Sequence, residues 1–155
     1  MFPYVLPILV ALSMSGAGCD FLQYGIGPHP RNPRYAFGFF NATDEDLHRV
    51  HLEWKGRDRP YVISAGILVK NGEAENFKMP DPIPPAITVH WRDANGADHD
   101  QGVLVASQIK EIGTFSGTIW VKISEKGVTV VPLTDEEMHD RGRPPAEWRL
   151  HSKRG

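Results

Sequence analysis

The stretch that decides the fold is LHRVHLEW, residues 47–54. Val50, Leu52 and Trp54 lie at every second position, and charged or imidazole side chains separate them. Side chains two residues apart share one face of an extended chain, so the apolar set faces one way and the polar set the other. The pattern predicts a half-buried antiparallel β-strand, with one face in a core and the other in water.

Six further stretches have short β-like patterns, and turn-forming residues separate them. The clearest helix signal is Thr134 followed by Glu137, which is the spacing of a capping box. Many strands and almost no helix predict an all-β fold, an antiparallel β-sandwich of the immunoglobulin or transthyretin kind. We expect about seven strands and at most one or two short helical turns. The six stretches are residues 35–41, 61–70, 87–91, 102–109, 115–123 and 127–133.

Single residues within these stretches make finer predictions. Gly66 lies inside the third strand and predicts a bulge. Trp120 falls on the opposite face from the other apolar residues of stretch 115–123. Asn95–Gly96 lies in a polar loop between two strands and predicts a hairpin.

The seven histidines raise the question of a metal site. His48 and His51 are three positions apart, a spacing that places them on opposite faces of a strand. His51 and His90 meet only if their strands pair. Zinc needs three or four converging ligands, and the chain has no H-E-x-x-H motif and one cysteine. We therefore expect no metal ligands.

The composition limits the class of protein. A chain of 155 residues with 41% hydrophobic residues predicts one domain with a core. A net charge of −2 leaves no basic footprint for nucleic acid. The sequence has neither a G-x-S-x-G elbow nor a glycine-rich phosphate loop. We therefore expect no enzyme, no catalytic residues and no cofactor.

The first eighteen residues contain no charged side chain, and their apolar run, residues 4–12, is too short to span a bilayer. A short apolar run followed by small residues is typical of a secretory signal. Small residues directly before Cys19 resemble the lipobox of bacterial lipoproteins, although Gly16 stands where that family usually has leucine. The resemblance implies cleavage before Cys19 and acylation of its thiol. The alternative is an ordinary signal ending near Ala17, with Cys19 left as an unpaired thiol.

These boundaries divide the chain into four parts. We expect a signal peptide over 1–18, a lipidated cysteine and Pro/Gly-rich tether over 19–34, a β-sandwich domain over 35–134, and a short helical turn with a basic C-terminal tail over 135–155. Such a protein would be lipid-anchored in the bacterial cell envelope and face the periplasm. Asp20 after the cysteine favours inner-membrane retention in enteric bacteria, and the choice between inner and outer membrane stays open.

Two stretches carry a further resemblance. FGFFNATDEDLHRVHLEW (residues 37–54) and PPAITVHWRDANGADHDQGVLV (residues 84–105) resemble small bacterial lipoproteins whose families include type VI secretion immunity proteins. The Gly- and Cys-rich segment that some of these families carry before the second stretch is absent. The resemblance implies an immunity-type inhibitor that binds a secreted toxin. The alternative is a structural envelope lipoprotein that recruits a membrane or secretion complex. The transthyretin-like lipoprotein of the type VI secretion envelope complex is also a small tethered sandwich.

Two charged loops are the candidates for contact with a protein partner. One is KGRDRP, residues 55–60, and the other is the long hairpin loop DANGADHD, residues 93–100. The second loop is rich in oxygen ligands but lacks the spacing of an EF-hand, and calcium binding there stays an open alternative to ordinary turn chemistry. The candidate residues are Arg57, Asp58, Arg59, Asp93, Asn95, Asp98 and Asp100.

Overall fold

The structure is a computed structural model, and it describes residues 34–56, 58–75, 79 and 82–150. The predicted signal peptide, the predicted lipidation site Cys19, the predicted tether up to residue 33, the candidate contact Arg57 and residues 151–155 of the predicted tail lie outside the described residues. Within them, no helix is both long enough and apolar enough to cross a membrane.

The described chain is mostly β-structure, arranged as two four-stranded sheets. The first sheet has the order β4-β1-β7-β8 and the second has the order β3-β2-β5-β6. A short 3-10 turn, Ala106–Gln108, follows β6, and two helices, α1 (Asp135–Arg141) and α2 (Ala146–Leu150), follow β8. The strands are β1 (Arg34–Asn41), β2 (Leu47–Lys55), β3 (Pro60–Leu68), β4 (Glu73–Glu75), β5 (Ala86–Arg92), β6 (Asp98–Leu104), β7 (Ser116–Ser124) and β8 (Gly127–Thr134).

The strand predicted from residues 47–54 is confirmed, and its apolar face lies in the core between the two sheets. Val50 and Leu52 are fully buried and Trp54 nearly so. From the first sheet Phe37 meets them, with its ring centroid 5.6 Å from that of Trp54. Burying large apolar side chains from both sheets is the main force that holds the two layers together.

Several predictions about the strands are wrong. The described residues contain eight strands rather than seven, because three-residue β4 is too short and polar to show a pattern. β1 pairs with β7 in parallel, so the first sheet is mixed rather than antiparallel. The strand predicted at 102–109 begins at Asp98 instead, and its second half becomes the 3-10 turn. The predicted bulge at Gly66 is confirmed by a register shift against β2.

The helical content also exceeds the predicted one or two turns. The capping box at Thr134 is confirmed, since its side chain accepts from the Glu137 amide while the Glu137 carboxylate accepts from the Thr134 amide. Helix α1 then ends at Gly142, and α2 places Trp148 against Phe40 and Trp120 of the first sheet. Stretch 135–150 thus covers the outer face of that sheet. This second apolar cluster consists of Phe40, Trp120, Leu133, Met138 and Trp148.

Candidate functional site

Four loops meet at one end of the two sheets, which we call the loop end. They are residues 42–46, 69–72, 93–97 and 125–126, between successive strands. The opposite end, where β1 begins at Arg34, is called the base. The register places Asn41 beside Ile123 in the first sheet and Leu47 beside Leu68 in the second.

Asn41 organises two of these loops. Its side chain is fully buried, and its Nδ2 donates to the carbonyl oxygens of Leu68 and Glu45 at 3.0 and 2.7 Å. The Val69 carbonyl oxygen lies 3.2 Å from the same Nδ2. Oδ1 of Asn41 accepts from the amide and the hydroxyl of Thr43. A buried amide with all its groups satisfied fixes the positions of the chains that it joins. Asn41 therefore ties loop 42–46 to the start of loop 69–72.

A cleft of about 720 Å³ opens between the sheets at the loop end. Three of the four loops contribute to its walls, and Trp91 and Gln101 line it from β5 and β6. Four carboxylates line it against a single lysine, so the cleft is acidic. These charged residues are Asp44, Glu45, Asp93, Glu125 and Lys126.

Asp93 builds the hairpin turn that forms one wall of this cleft. Its Oδ1 accepts from the amides of Asn95 and Ala97, both at 2.9 Å, and its Oδ2 lies 2.8 Å from Nε2 of His99. The hydrogen bond from His99, followed by the one from the Ala97 amide, holds the pKa of Asp93 below its usual range. His99 in turn stacks on Trp91, with ring centroids 5.3 Å apart. The turn thus presents an imidazole and an aromatic ring in fixed positions.

Gln101 joins the two sheets beside the cleft. Its Oε1 accepts from the Val128 amide at 2.8 Å, and its Nε2 donates to the Val128 carbonyl at 3.3 Å. A Cβ on the neighbouring Gly127 would lie 2.6 Å from Oε1 of Gln101, so a side chain at residue 127 would displace this amide from its position against Val128. The β7–β8 turn is therefore held against β6.

A second concave surface lies on the outer face of the second sheet, and we call it the dish. The register between β2 and its neighbours shifts between His48 and His51, and Arg49 adopts a φ of 52°. This bulge brings His48 and His51 to the same face, so the prediction that they lie on opposite faces is wrong. The dish has a volume of about 580 Å³ and is lined by His48, Arg49, His51, Ser64, Ile67 and Arg92, with Gly66.

The meeting of His51 with His90 is confirmed, because β2 and β5 pair in that register. Their rings stack with centroids 4.6 Å apart and an interplanar angle of 12°. Nδ1 of His51 lies 2.8 Å from the Arg49 carbonyl, which can only accept, so this nitrogen donates. The bond stabilises the bulge. On the other side, Glu53 places Oε1 3.4 Å from Nε2 of His90.

Arg92 at the rim of the dish forms a bidentate pair with Asp98. Nε and Nη2 donate to the two carboxylate oxygens at 2.7 and 2.8 Å. This pairing holds the pKa of Asp98 below its usual range, and the charge of Arg49 acts in the same direction. Asp98 thereby neutralises part of the positive charge at the rim.

The structure separates the two predicted contact loops. Asp58 and Arg59 are exposed in the β2–β3 turn at the base, where the Arg59 guanidinium lies over the Tyr61 ring at 5.2 Å. Asp93 and Asn95 lie at the loop end, and the length of β2, about 26 Å, separates the two groups. Asp98 and Asp100 lie on β6 rather than in a long loop, with Asp100 opposite His90. The two groups therefore lie at opposite ends of the domain.

In the described ranges, no three His, Cys, Asp or Glu side chains are grouped so that they could hold a metal ion. The Asp93–His99 pair has two such groups, and the stacked pair of His51 and His90 has two with Glu53 nearby. These arrangements can donate and accept hydrogen bonds and attract charged groups.

One signal of the dish is present in the sequence as an interruption of the period-two pattern. In LHRVHLEW, buried Leu47 and Val50 are three residues apart, while the later buried residues are two apart. A break in the alternation with two polar residues between apolar ones indicates an inserted residue, which is a β-bulge. By contrast, nothing in the sequence marked Asn41 or Gln101, whose partners lie up to 28 residues away along the chain.

No protein-family model matches the chain, and no curated protein matches it. Among solved structures, the chain is similar to an NMR structure of a protein from Eubacterium rectale. The TM-score is 0.41 at 10% sequence identity, and the match covers 72% of this chain and 98% of the other.

Proposed function

We propose that this chain is a lipid-anchored, periplasm-facing binding protein of the bacterial envelope, in its most specific form an immunity-type inhibitor of a secreted toxin. The observation that carries the proposal is the position of the loop end, which lies opposite the start of β1 at Arg34. If Cys19 is anchored in a membrane, the chain reaches the domain at its base. The loop end and its cleft then face away from the membrane, toward a partner.

The chemistry of the loop end supports protein binding. Loops 42–46, 93–97 and 125–126 surround an acidic cleft that also exposes an imidazole and part of an indole ring. Aromatic residues are enriched at protein interfaces, and a surface of one charge attracts a partner that carries the opposite charge. We also propose that the two sheets form a sandwich of the immunoglobulin or transthyretin kind, an architecture whose loops cluster at its ends and serve recognition.

The anchor is tested by growing cells that make the full chain with labelled palmitate. Wild type is expected to take up the label and to sediment with membranes, because several acyl chains, at about 0.8 kcal/mol per buried CH₂, hold a protein on a bilayer. Cys19→Ala is expected to lose the label completely and to leave the membrane fraction or keep its signal uncut. Equal labelling of both proteins, or no label in wild type, would overturn the anchor and favour an ordinary signal ending near Ala17.

The binding surface is tested with charge reversals at the two ends. The immunity role requires a toxin gene beside the gene for this chain, and the absence of one would contradict that role. The full chain is produced together with that toxin, and surviving cells are counted. Glu125→Arg at the loop end is expected to reduce survival at least tenfold, because it reverses a charge that the partner meets. The matched change Asp58→Arg, exposed at the base, is expected to protect like wild type.

Two outcomes would contradict this design. If Glu125→Arg protects fully and Asp58→Arg does not protect, the partner binds the base and not the loop end. If wild type carries the label on Cys19 but does not protect the cells, the immunity role is wrong. The structural envelope lipoprotein is then the remaining proposal.

A further inference from the structure

The dish has a charge opposite to that of the cleft. The six side chains that line it include two guanidinium groups and two imidazoles, and none is a carboxylate. The protein as a whole has a net charge of −2, so this surface is a local exception. Its chemistry suits an anionic group.

Arg49 is the least committed of these cations. Its side chain is exposed, and its guanidinium makes no hydrogen bond or close ion pair with any residue that the structure describes, although its charge acts on Asp98. Arg92, in contrast, is already paired with Asp98 at 2.7 Å. Arg49 also holds a φ of 52°, a conformation that side chains other than glycine rarely adopt and that clusters at ligand-binding sites.

The shape of the dish suits an extended segment. Ser64, Gly66 and Ile67 form one side of it and belong to β3, which lies at the edge of the second sheet and, among the described strands, pairs only with β2. Residues 60–68 carry no charge, and Ile67 is 61% exposed. An uncharged edge strand beside a cationic surface accepts an extended chain that carries carboxylates.

We propose that the dish binds an acidic, extended segment of a protein partner, with Arg49 as the main contact. This inference rests on the proposed function in one respect, namely that the partner is a protein. It does not depend on the anchor or on a toxin. The dish and the cleft border the same strand ends, since Leu47 and Trp91 line the cleft while His48 and Arg92 line the dish. A partner that covers both must carry a basic patch beside an acidic segment.

The test measures fluorescence anisotropy of a labelled hexaglutamate peptide with the full chain in a nonionic detergent at low salt. Arg49→Asn is expected to weaken binding at least tenfold, while Arg49→Lys stays within about threefold of wild type. Asparagine tolerates a positive φ better than arginine, so the first variant removes the charge without straining the fold. Asp98→Asn is expected to strengthen binding, because it releases the guanidinium of Arg92.

The control is Arg59→Asn, which removes an exposed guanidinium at the base and is expected to bind like wild type. Equal losses from Arg49→Asn and Arg59→Asn would show general charge attraction and overturn the site. Absence of binding by wild type would overturn it as well. Arg49-dependent binding to vesicles of anionic phospholipid that exceeds binding to the peptide would assign the dish to a membrane surface and also overturn the proposal. None of these results bears on toxin protection, so the two proposals fail separately.

Discussion

Replacing Trp120 by alanine is expected to lower the free energy of unfolding by about 3–5 kcal/mol. The side chain is almost fully buried in the second apolar cluster, where its ring meets that of Trp148 edge-on at 6.1 Å. Its ring also covers Gly38 of β1, where a Cβ would lie 2.6 Å from Cε3 of Trp120. The alanine variant removes the surface onto which α2 packs. Urea unfolding followed by circular dichroism measures the loss.

Trp120→Phe provides the control for this result. It keeps an aromatic ring and removes the buried Nε1–H, which has no hydrogen-bond partner among the described residues. The expected cost is about 1 kcal/mol, since the lost volume is partly offset by removing an unsatisfied donor. Val62→Ala, at a side chain that is 61% exposed, is expected to change stability by less than about 0.5 kcal/mol. A cost for Trp120→Ala no greater than that for Val62→Ala would show that the helices do not cover this face.

Asn41→Asp is expected to lower the free energy of unfolding by about 3–5 kcal/mol, although it only replaces an amide NH₂ group by an oxygen. The amide nitrogen that donates to the carbonyls of Glu45 and Leu68 becomes a carboxylate oxygen facing the same acceptors. The variant therefore leaves carbonyls unpaired and buries a charge without a partner. Chemical denaturation at pH 7 measures the cost, and amide exchange of Thr43 reports whether loop 42–46 has lost its position.

The same substitution at Asn95 is the matched control. Asn95 is exposed at the tip of the β5–β6 turn, so Asn95→Asp is expected to change stability by less than about 0.5 kcal/mol. If Asn41→Asp is as mild as Asn95→Asp, the buried amide does not organise the loop end. The position of the cleft walls would then need another explanation.

The parts of this fold that were predicted correctly depend on patterns within a few residues. Alternation in residues 47–54 located β2 and its buried face, Thr134 and Glu137 located the start of α1, and Gly66 located a bulge. Each signal is local, because side-chain direction, helix capping and backbone freedom are set by neighbouring residues. Strand β4 was not predicted, because three residues are too few to show an alternation of apolar and polar positions.

The candidate site was predicted less well, because it depends on which strands become neighbours. Asp93 and Asn95 lie in the turn where the sequence places them, with Asn95 exposed and the Asp93 side chain only 18% exposed. The sequence also grouped them with Asp58 and Arg59, which lie at the other end of the domain. It also placed Asp98 in a loop, whereas pairing with Arg92 makes it part of β6. Pairing of this kind depends on contacts between residues distant in the chain, which no short window contains.

By itself the sequence determined that the described chain is built of short strands, which faces of those strands are apolar, and where the main helix starts, because these follow from local spacing. Only the tertiary structure decided that β1 runs parallel to β7, that Trp120 on the outer face is covered by the C-terminal helices, and that His48, Arg49 and Arg92 share one dish. Strand direction and strand partners are selected by the free energy of burying whole faces together. That free energy belongs to the assembled sheets and to no single segment.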